Sequence, residues 1–142
     1  MVNNTPSSRW YSGSGIYRDV DLTITDDVHV DLNGTKVTTP NLETEKGSTV
    51  NTNVTATVAN DSDAAKSVAV RHTVFPKDGS ADQSIGTVTT NAQSIAAGAT
   101  AEIQATVPVS NPELWSVENP SLYTVRTEAV SYTHLTLPTI RL

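Results

Sequence analysis

The chain has 142 residues, room for one globular domain and little more. A formal net charge of −6 leaves no basic stripe to neutralise phosphates, so nucleic acid is excluded as a partner. The absence of cysteine excludes disulfides and thiolate chemistry, and no apolar run approaches the roughly 18 residues of a membrane-spanning helix.

In chain order, residues 8–20 come first, with two arginines (Arg9, Arg18), three aromatics (Trp10, Tyr11, Tyr17) and two glycines (Gly13, Gly15) in a chain otherwise rich in Thr, Val, Ala and Asn. This glycine-punctuated stretch feeds a predicted strand over residues 18–25, in which Val20, Leu22 and Ile24 alternate with Asp19, Asp21 and Thr23. Val28, Val30 and Leu32 alternate up to Asn33-Gly34, a two-residue signal of the type I′ hairpin, after which Lys36-Val37 resumes the run until Pro40. Residues 49–59 give the clearest strand: Val50, Thr52, Val54, Ala56 and Val58 face one way, Asn51, Asn53, Thr55 and Thr57 the other. Turn residues Asn60-Asp61-Ser62-Asp63 separate it from a strand with Val68, Val70, His72 and Val74 on one face, ending at Phe75-Pro76.

A polar loop (77–83), a short strand (85–89) and an Ala-rich turn around Gly98 lead into the alternation of Ala101, Ile103, Ala105 and Val107 with Glu102, Gln104 and Thr106. No stretch carries the 3.6-residue period of a helix for long enough to matter. Residues 111–122 read as a proline-stiffened crossover whose Trp115 plugs one end of the core, before a last strand through Tyr123, Val125 and Thr127. Short strands joined by Gly, Asn, Asp and Pro make this an all-β chain, a sandwich of two antiparallel sheets. His29, His72 and His134 have no ligand-like spacing, so neither a metal nor another cofactor is expected.

Two phrases also carry a resemblance. Gly13-Ser14-Gly15-Ile16-Tyr17-Arg18 and Asn111-Pro112-Glu113-Leu114-Trp115-Ser116-Val117-Glu118-Asn119-Pro120-Ser121-Leu122-Tyr123 together resemble two signatures of glycoside hydrolase family 2, in the family's order. The likeness covers about residues 6–129 and is greatest to the large bacterial β-galactosidases. It implies that residues 1–26 are the C-terminal remnant of a jelly-roll sugar-binding domain and residues 27–129 an immunoglobulin-like β-sandwich. The implied parent is a retaining β-galactosidase whose two catalytic glutamates lie on a (β/α)₈ barrel that follows the sandwich. That sugar-binding domain, the barrel and a β-galactoside are then the partners, and β-glucuronidase or β-mannosidase the sister activities.

The same resemblance offers no catalytic residue here; Glu43, Glu45, Glu102, Glu113, Glu118 and Glu128 are read in turns or on wet strand faces. It makes Arg9 and Trp10 substrate-contacting candidates in the full-length enzyme, with a stacked latch between domains as the plainer alternative. Arginine departs from the often acidic residue of the relatives, although its fork of donors suits hydroxyls and carboxylates. A rival reading from another class is a non-catalytic sandwich module of a bacterial surface adhesin, which fold alone does not exclude. Finally, residues 130–139 (Val-Ser-Tyr-Thr-His-Leu-Thr-Leu-Pro-Thr) resemble a translated sequencing adapter, so residues 130–142 are expected to be non-native. Localisation is not legible.

Overall fold

Alternation of apolar and polar residues is enough to build two sheets, because each strand then has one face to hide and one to wet. The computed structural model describes residues 15–77, 79 and 81–131. Its strands are β1 (Val28–Thr38), β2 (Thr49–Asn60), β3 (Lys66–Pro76), β4 (Gly86–Thr89), β5 (Gln93–Ile95), β6 (Ala99–Ser110) and β7 (Tyr123–Ser131), with one helical turn, α1 (Leu42–Glu45). One sheet has the order β1-β2-β6. In the other, β3 is central: β7 pairs along one edge and β4 and β5 pair in turn along the opposite edge, all antiparallel. The chain is the all-β, immunoglobulin-like sandwich expected.

β4 and β5 are one strand interrupted by a bulge. Thr89 lies opposite Arg71 and Gln93 opposite Val68, so residues 90–92 face only Ala69 and Val70. Thr90 holds the break: its N–H donates to the Val70 carbonyl at 2.9 Å and its Oγ1 accepts from the Val70 N–H at 2.9 Å. Counted this way the sandwich has six antiparallel passes, an even number. Entry at Val28 and exit at Ser131 therefore lie at the same end, near Asn60 and Lys66, whereas residues 39–48, 77–85 and 111–122 connect strands at the other.

The core forms between the sheets in two clusters. Val28, Ala56, Val58, Val68, Val70, Ile95, Ile103 and Ala129 fill the end nearest the chain entry, and Val54, Val74, Val107 and Val109 the other. All five inward residues expected on β2, from Val50 to Val58, are buried. His72, midway along β3 between Val70 and Val74, is fully buried, its Nδ1 3.1 Å from the Thr127 hydroxyl. Burial holds its pKa below the ordinary histidine value, because a charged imidazolium would be stripped of water there.

Three expectations need correction. Asn33-Gly34 does not reverse the chain: β1 runs through it, with Val30 opposite Val58 and Thr35 opposite Ala56, so residues 31–34 bulge against Thr57 alone. Both halves of β1 find their partners on β2, and the turn-prone pair, with Asn33 at φ 58°, is absorbed as a bulge. A Cβ on Gly34 would sit 2.8 Å from the Asp31 carbonyl oxygen, which is why glycine stands there.

The second correction concerns residues 18–25, which form no strand. Ile16, Tyr17, Val20, Leu22 and Ile24 are exposed, Leu22 by 86%. A strand exists only through its ladder, and no described strand offers one to this segment. Third, Trp115 does not plug the core; it is 61% exposed. That end is already closed by the cluster of Val54, Val74, Val107 and Val109, with Ile85, Val88, Tyr123 and Val125 packed against it.

Candidate functional site

The end of the sandwich away from the chain entry carries its most organised loop. Residues 111–122 are tied at the base to both other connections: the Asn111 N–H donates to the Ser48 carbonyl at 2.8 Å, and the Lys77 N–H to the Leu122 carbonyl at 3.1 Å. Asn111 adopts a left-handed φ of 45°, tolerable for asparagine, which turns the chain out of β6 into Pro112.

Tyr123 then clamps the loop from the first residue of β7. Its hydroxyl accepts from the Glu113 N–H at 2.7 Å and donates back to the Glu113 carbonyl at 3.3 Å. The Glu113 carboxylate in turn accepts from the Ser121 hydroxyl at 3.0 Å and the Asn119 amide at 3.4 Å. A small turn closes the tip, with the Ser116 N–H donating to the Asn119 carbonyl at 2.9 Å and the Asn119 N–H to the Ser116 hydroxyl at 3.0 Å.

The consequence is a braced loop in which Glu113, Ser116, Asn119 and Ser121 bond within the loop, while the Glu118 side chain is exposed. Beside Glu118 it turns outward a set of apolar side chains, Trp115 with Leu114, Val117 and Leu122, all exposed. An aromatic held in place on a stiff support is the usual anchor of an interface, since little side-chain freedom is lost on burial. Nothing in the sequence reading anticipated the Glu113–Tyr123 clamp. Its one signal was a glutamate set ten residues before a tyrosine, across Pro120.

The carboxylates are spread through the fold. Glu43 pairs with Lys46 at 2.8 Å on the surface, and that hydrogen bond and charge hold its pKa below the ordinary glutamate value. Glu45 accepts from the Asn51 N–H at 2.7 Å and the Asn51 amide at 2.9 Å, which lowers its pKa as well. Glu128 lies 3.9 Å from Arg71 across the β3–β7 ladder. Retaining glycoside hydrolysis needs two carboxyl groups about 5 Å apart, one kept protonated as the acid. The contacts to Glu43 and Glu45 favour ionisation instead.

His29 has its Nδ1 2.9 Å from the Asp26 carbonyl oxygen, His72 is buried, and His134 lies outside the described residues. Among the described residues no group of three or more His, Asp or Glu is placed to hold a metal ion. The substrate-contact candidates Arg9 and Trp10 also lie outside the described residues.

Comparison with known proteins meets this geometry from outside. The family model described as "Glycosyl hydrolases family 2" matches residues 28–135. β-Galactosidase BoGH2A of Bacteroides ovatus is 34% identical over 125 residues, covering 88% of this chain and 14% of its own length. Among solved structures, a β-glucuronidase of Bacteroides uniformis superposes with a TM-score of 0.67 at 25% identity, over 80% of this chain and 14% of the other. A further β-glucuronidase of glycoside hydrolase family 2 gives 0.70 at 18% identity over 82% and 12%, a likeness of fold. The chain thus spans about a seventh of the length of BoGH2A. With the fold, the 111–122 loop and the family match in agreement, this chain belongs to glycosyl hydrolase family 2.

Proposed function

We propose that this chain is a non-catalytic, structural part of a longer retaining β-glycosidase of the β-galactosidase type. The observation that carries the reading is the 34% identity to a β-galactosidase across 88% of the chain. In this reading residues 1–26 end a preceding sugar-binding jelly roll, residues 27–129 are the sandwich, and residues 130–142 are a translated adapter. The exposed alternation of Val20, Leu22 and Ile24 supports the first of these, being the pattern of a strand made for another sheet. β7 itself continues through Val130 and Ser131, in register with Ala69 and Val68, so resequencing of the source DNA past Ala129 is the test of the last.

Catalysis would reside in a barrel supplied by the rest of the parent, with the sandwich holding the flanking domains in position. Arg9 and Trp10 keep their proposed role as contacts to a sugar in that assembled enzyme. No cofactor is proposed for this part. Family membership removes the main support for the adhesin reading, and a sister activity is the second reading that an observation favours, because two structural neighbours are β-glucuronidases.

Aryl β-galactoside and aryl β-glucuronide turnover decide the matter, measured on the parent protein and on the 142-residue chain. The parent is expected to hydrolyse the galactoside faster and the short chain neither. Turnover by the short chain would overturn the non-catalytic assignment, and preference of the parent for the glucuronide would overturn the β-galactosidase type.

A further inference from the structure

Asn33-Gly34, the pair that makes no hairpin, sits at the irregular point of β1. Val30 lies opposite Val58 and Thr35 opposite Ala56, so residues 31–34 oppose Thr57 alone. Asn33 is exposed in this bulge, with its left-handed φ of 58°. The bulge cannot give up its glycine, since a Cβ on Gly34 would lie 2.8 Å from the Asp31 carbonyl oxygen and 3.0 Å from that of Thr57. The same missing side chain leaves the Gly34 backbone nitrogen open to approach by the side chain before it. Other asparagines lack one of these features. Asn111 and Asn119 precede prolines, which have no N–H to supply. Asn60 is buried with its amide on three carbonyls. Asn53 stands in β2, paired on both sides, before the β-branched Val54.

We propose that Asn33-Gly34 is a site of spontaneous covalent modification, at which the folded chain converts Asn33 to aspartyl and isoaspartyl forms through a cyclic succinimide, with water as the co-reactant. The Gly34 backbone nitrogen gives up its proton to solvent base and attacks Cγ of Asn33. The new N–Cγ bond closes the ring, the Cγ–Nδ2 bond breaks, and the side-chain nitrogen takes a proton and leaves as ammonia. Water then opens the ring at either carbonyl. Attack at Cγ restores the ordinary backbone with an aspartyl side chain, and attack at the backbone carbonyl routes the chain through Cβ and Cγ as isoaspartyl. No electron is gained or lost. Either product adds a negative charge two residues from Asp31, whose carboxylate accepts from the Leu32 N–H at 2.7 Å. The isoaspartyl form also lengthens the backbone by one carbon, in the stretch of β1 that already carries residues in excess of its partner.

Peptide mapping by mass spectrometry tests this on the 142-residue chain, incubated for days at mildly alkaline pH while circular dichroism follows its fold. The peptide holding Asn33 is expected to gain about 1 Da, as an amide becomes a carboxyl, in two separable forms, aspartyl and isoaspartyl. The gain should form at least about tenfold faster there than at Asn53, and more slowly as pH falls, because the attacking nitrogen must lose its proton. Asn33→Gln keeps an amide but must close a larger, less readily formed ring, and is expected to abolish both products. A folded chain whose Asn33 peptide gains no mass overturns the proposal, as does gain at Asn53 at the same rate. An aspartyl product without isoaspartyl would mean direct hydrolysis by water and would overturn the cyclic route, as would products that persist at that position in Asn33→Gln.

Discussion

Asn60 supplies the sharpest test of what holds the entry end of the sandwich together. Its side chain is fully buried where β2 ends, and its amide nitrogen lies 2.9, 3.0 and 3.0 Å from the carbonyl oxygens of Ala64, Ile95 and Ala96. Its carbonyl accepts from the Ser62 N–H at 3.2 Å and the Ser62 hydroxyl at 2.6 Å. One residue thereby joins the β2–β3 turn to the β5–β6 turn. Asn60→Ala leaves the buried Ile95 carbonyl without this donor and the Ser62 N–H without its acceptor, whereas the Ala96 carbonyl keeps the Ala99 N–H at 3.2 Å and the Ala64 carbonyl keeps the Ser62 hydroxyl at 3.0 Å. One buried unsatisfied acceptor costs about 1–3 kcal/mol.

We expect about 1–3 kcal/mol for Asn60→Ala, a fall in Tm of up to roughly 10 °C for a chain this size. Asn60→Asp keeps the shape and the Ser62 contacts but turns a charged acceptor toward three carbonyls. It should therefore cost more than alanine at neutral pH and recover as acid protonates the new carboxyl. Thermal unfolding followed by circular dichroism measures both, with Asn53→Ala as the control: Asn53 is exposed on the same strand, accepts one hydrogen bond from Thr106, and its loss should cost about 0.5 kcal/mol or less. An aspartate variant as stable as the parent sequence, or an alanine variant no weaker than the Asn53 control, would refute the reasoning.

Other perturbations test packing and charge. Gly86→Ala would place a methyl 2.6 Å from the Pro108 carbonyl oxygen and 3.0 Å from a Val107 methyl, so we expect a loss of about 1–3 kcal/mol, read as a lower urea midpoint with unchanged slope. Ile103→Ala removes the largest fully buried aliphatic side chain, and about 2–5 kcal/mol of destabilisation should appear in the same assay. His72 has a folded-state pKa below its unfolded value, so the unfolded chain binds the extra proton. Stability should be flat above about pH 6.5 and fall below it, at up to about 1.4 kcal/mol per pH unit, and His72→Leu should flatten the curve between pH 5 and 7. Persistence of the slope in that variant would assign it to other groups.

The same alternating pattern had opposite outcomes in two places, and the difference shows what a sequence can carry. Val50 to Val58 alternates and is buried because β1 and β6 pair on either side of it and β3 packs across the gap. Val20, Leu22 and Ile24 alternate just as strictly and remain exposed, because periodicity states which face wants burial and not whether a partner is there to provide it. Asn33-Gly34 fails for a related reason. The pair specifies a local backbone shape that suits a hairpin or a bulge equally, and only the shared partner β2 decides between them.

Trp115 is the most telling case. A tryptophan between two prolines was read as a core plug because large aromatics are usually buried. The core end was instead filled by Val109 and its neighbours, and Tyr123 spent its hydroxyl holding the loop outward. That contact pairs residues ten apart across an irregular loop, where no period exists to announce it. The family phrase was legible as wording, whereas its physical content lies in the Glu113–Tyr123 clamp, which keeps an apolar surface facing outward on a fold that has no place for it inside.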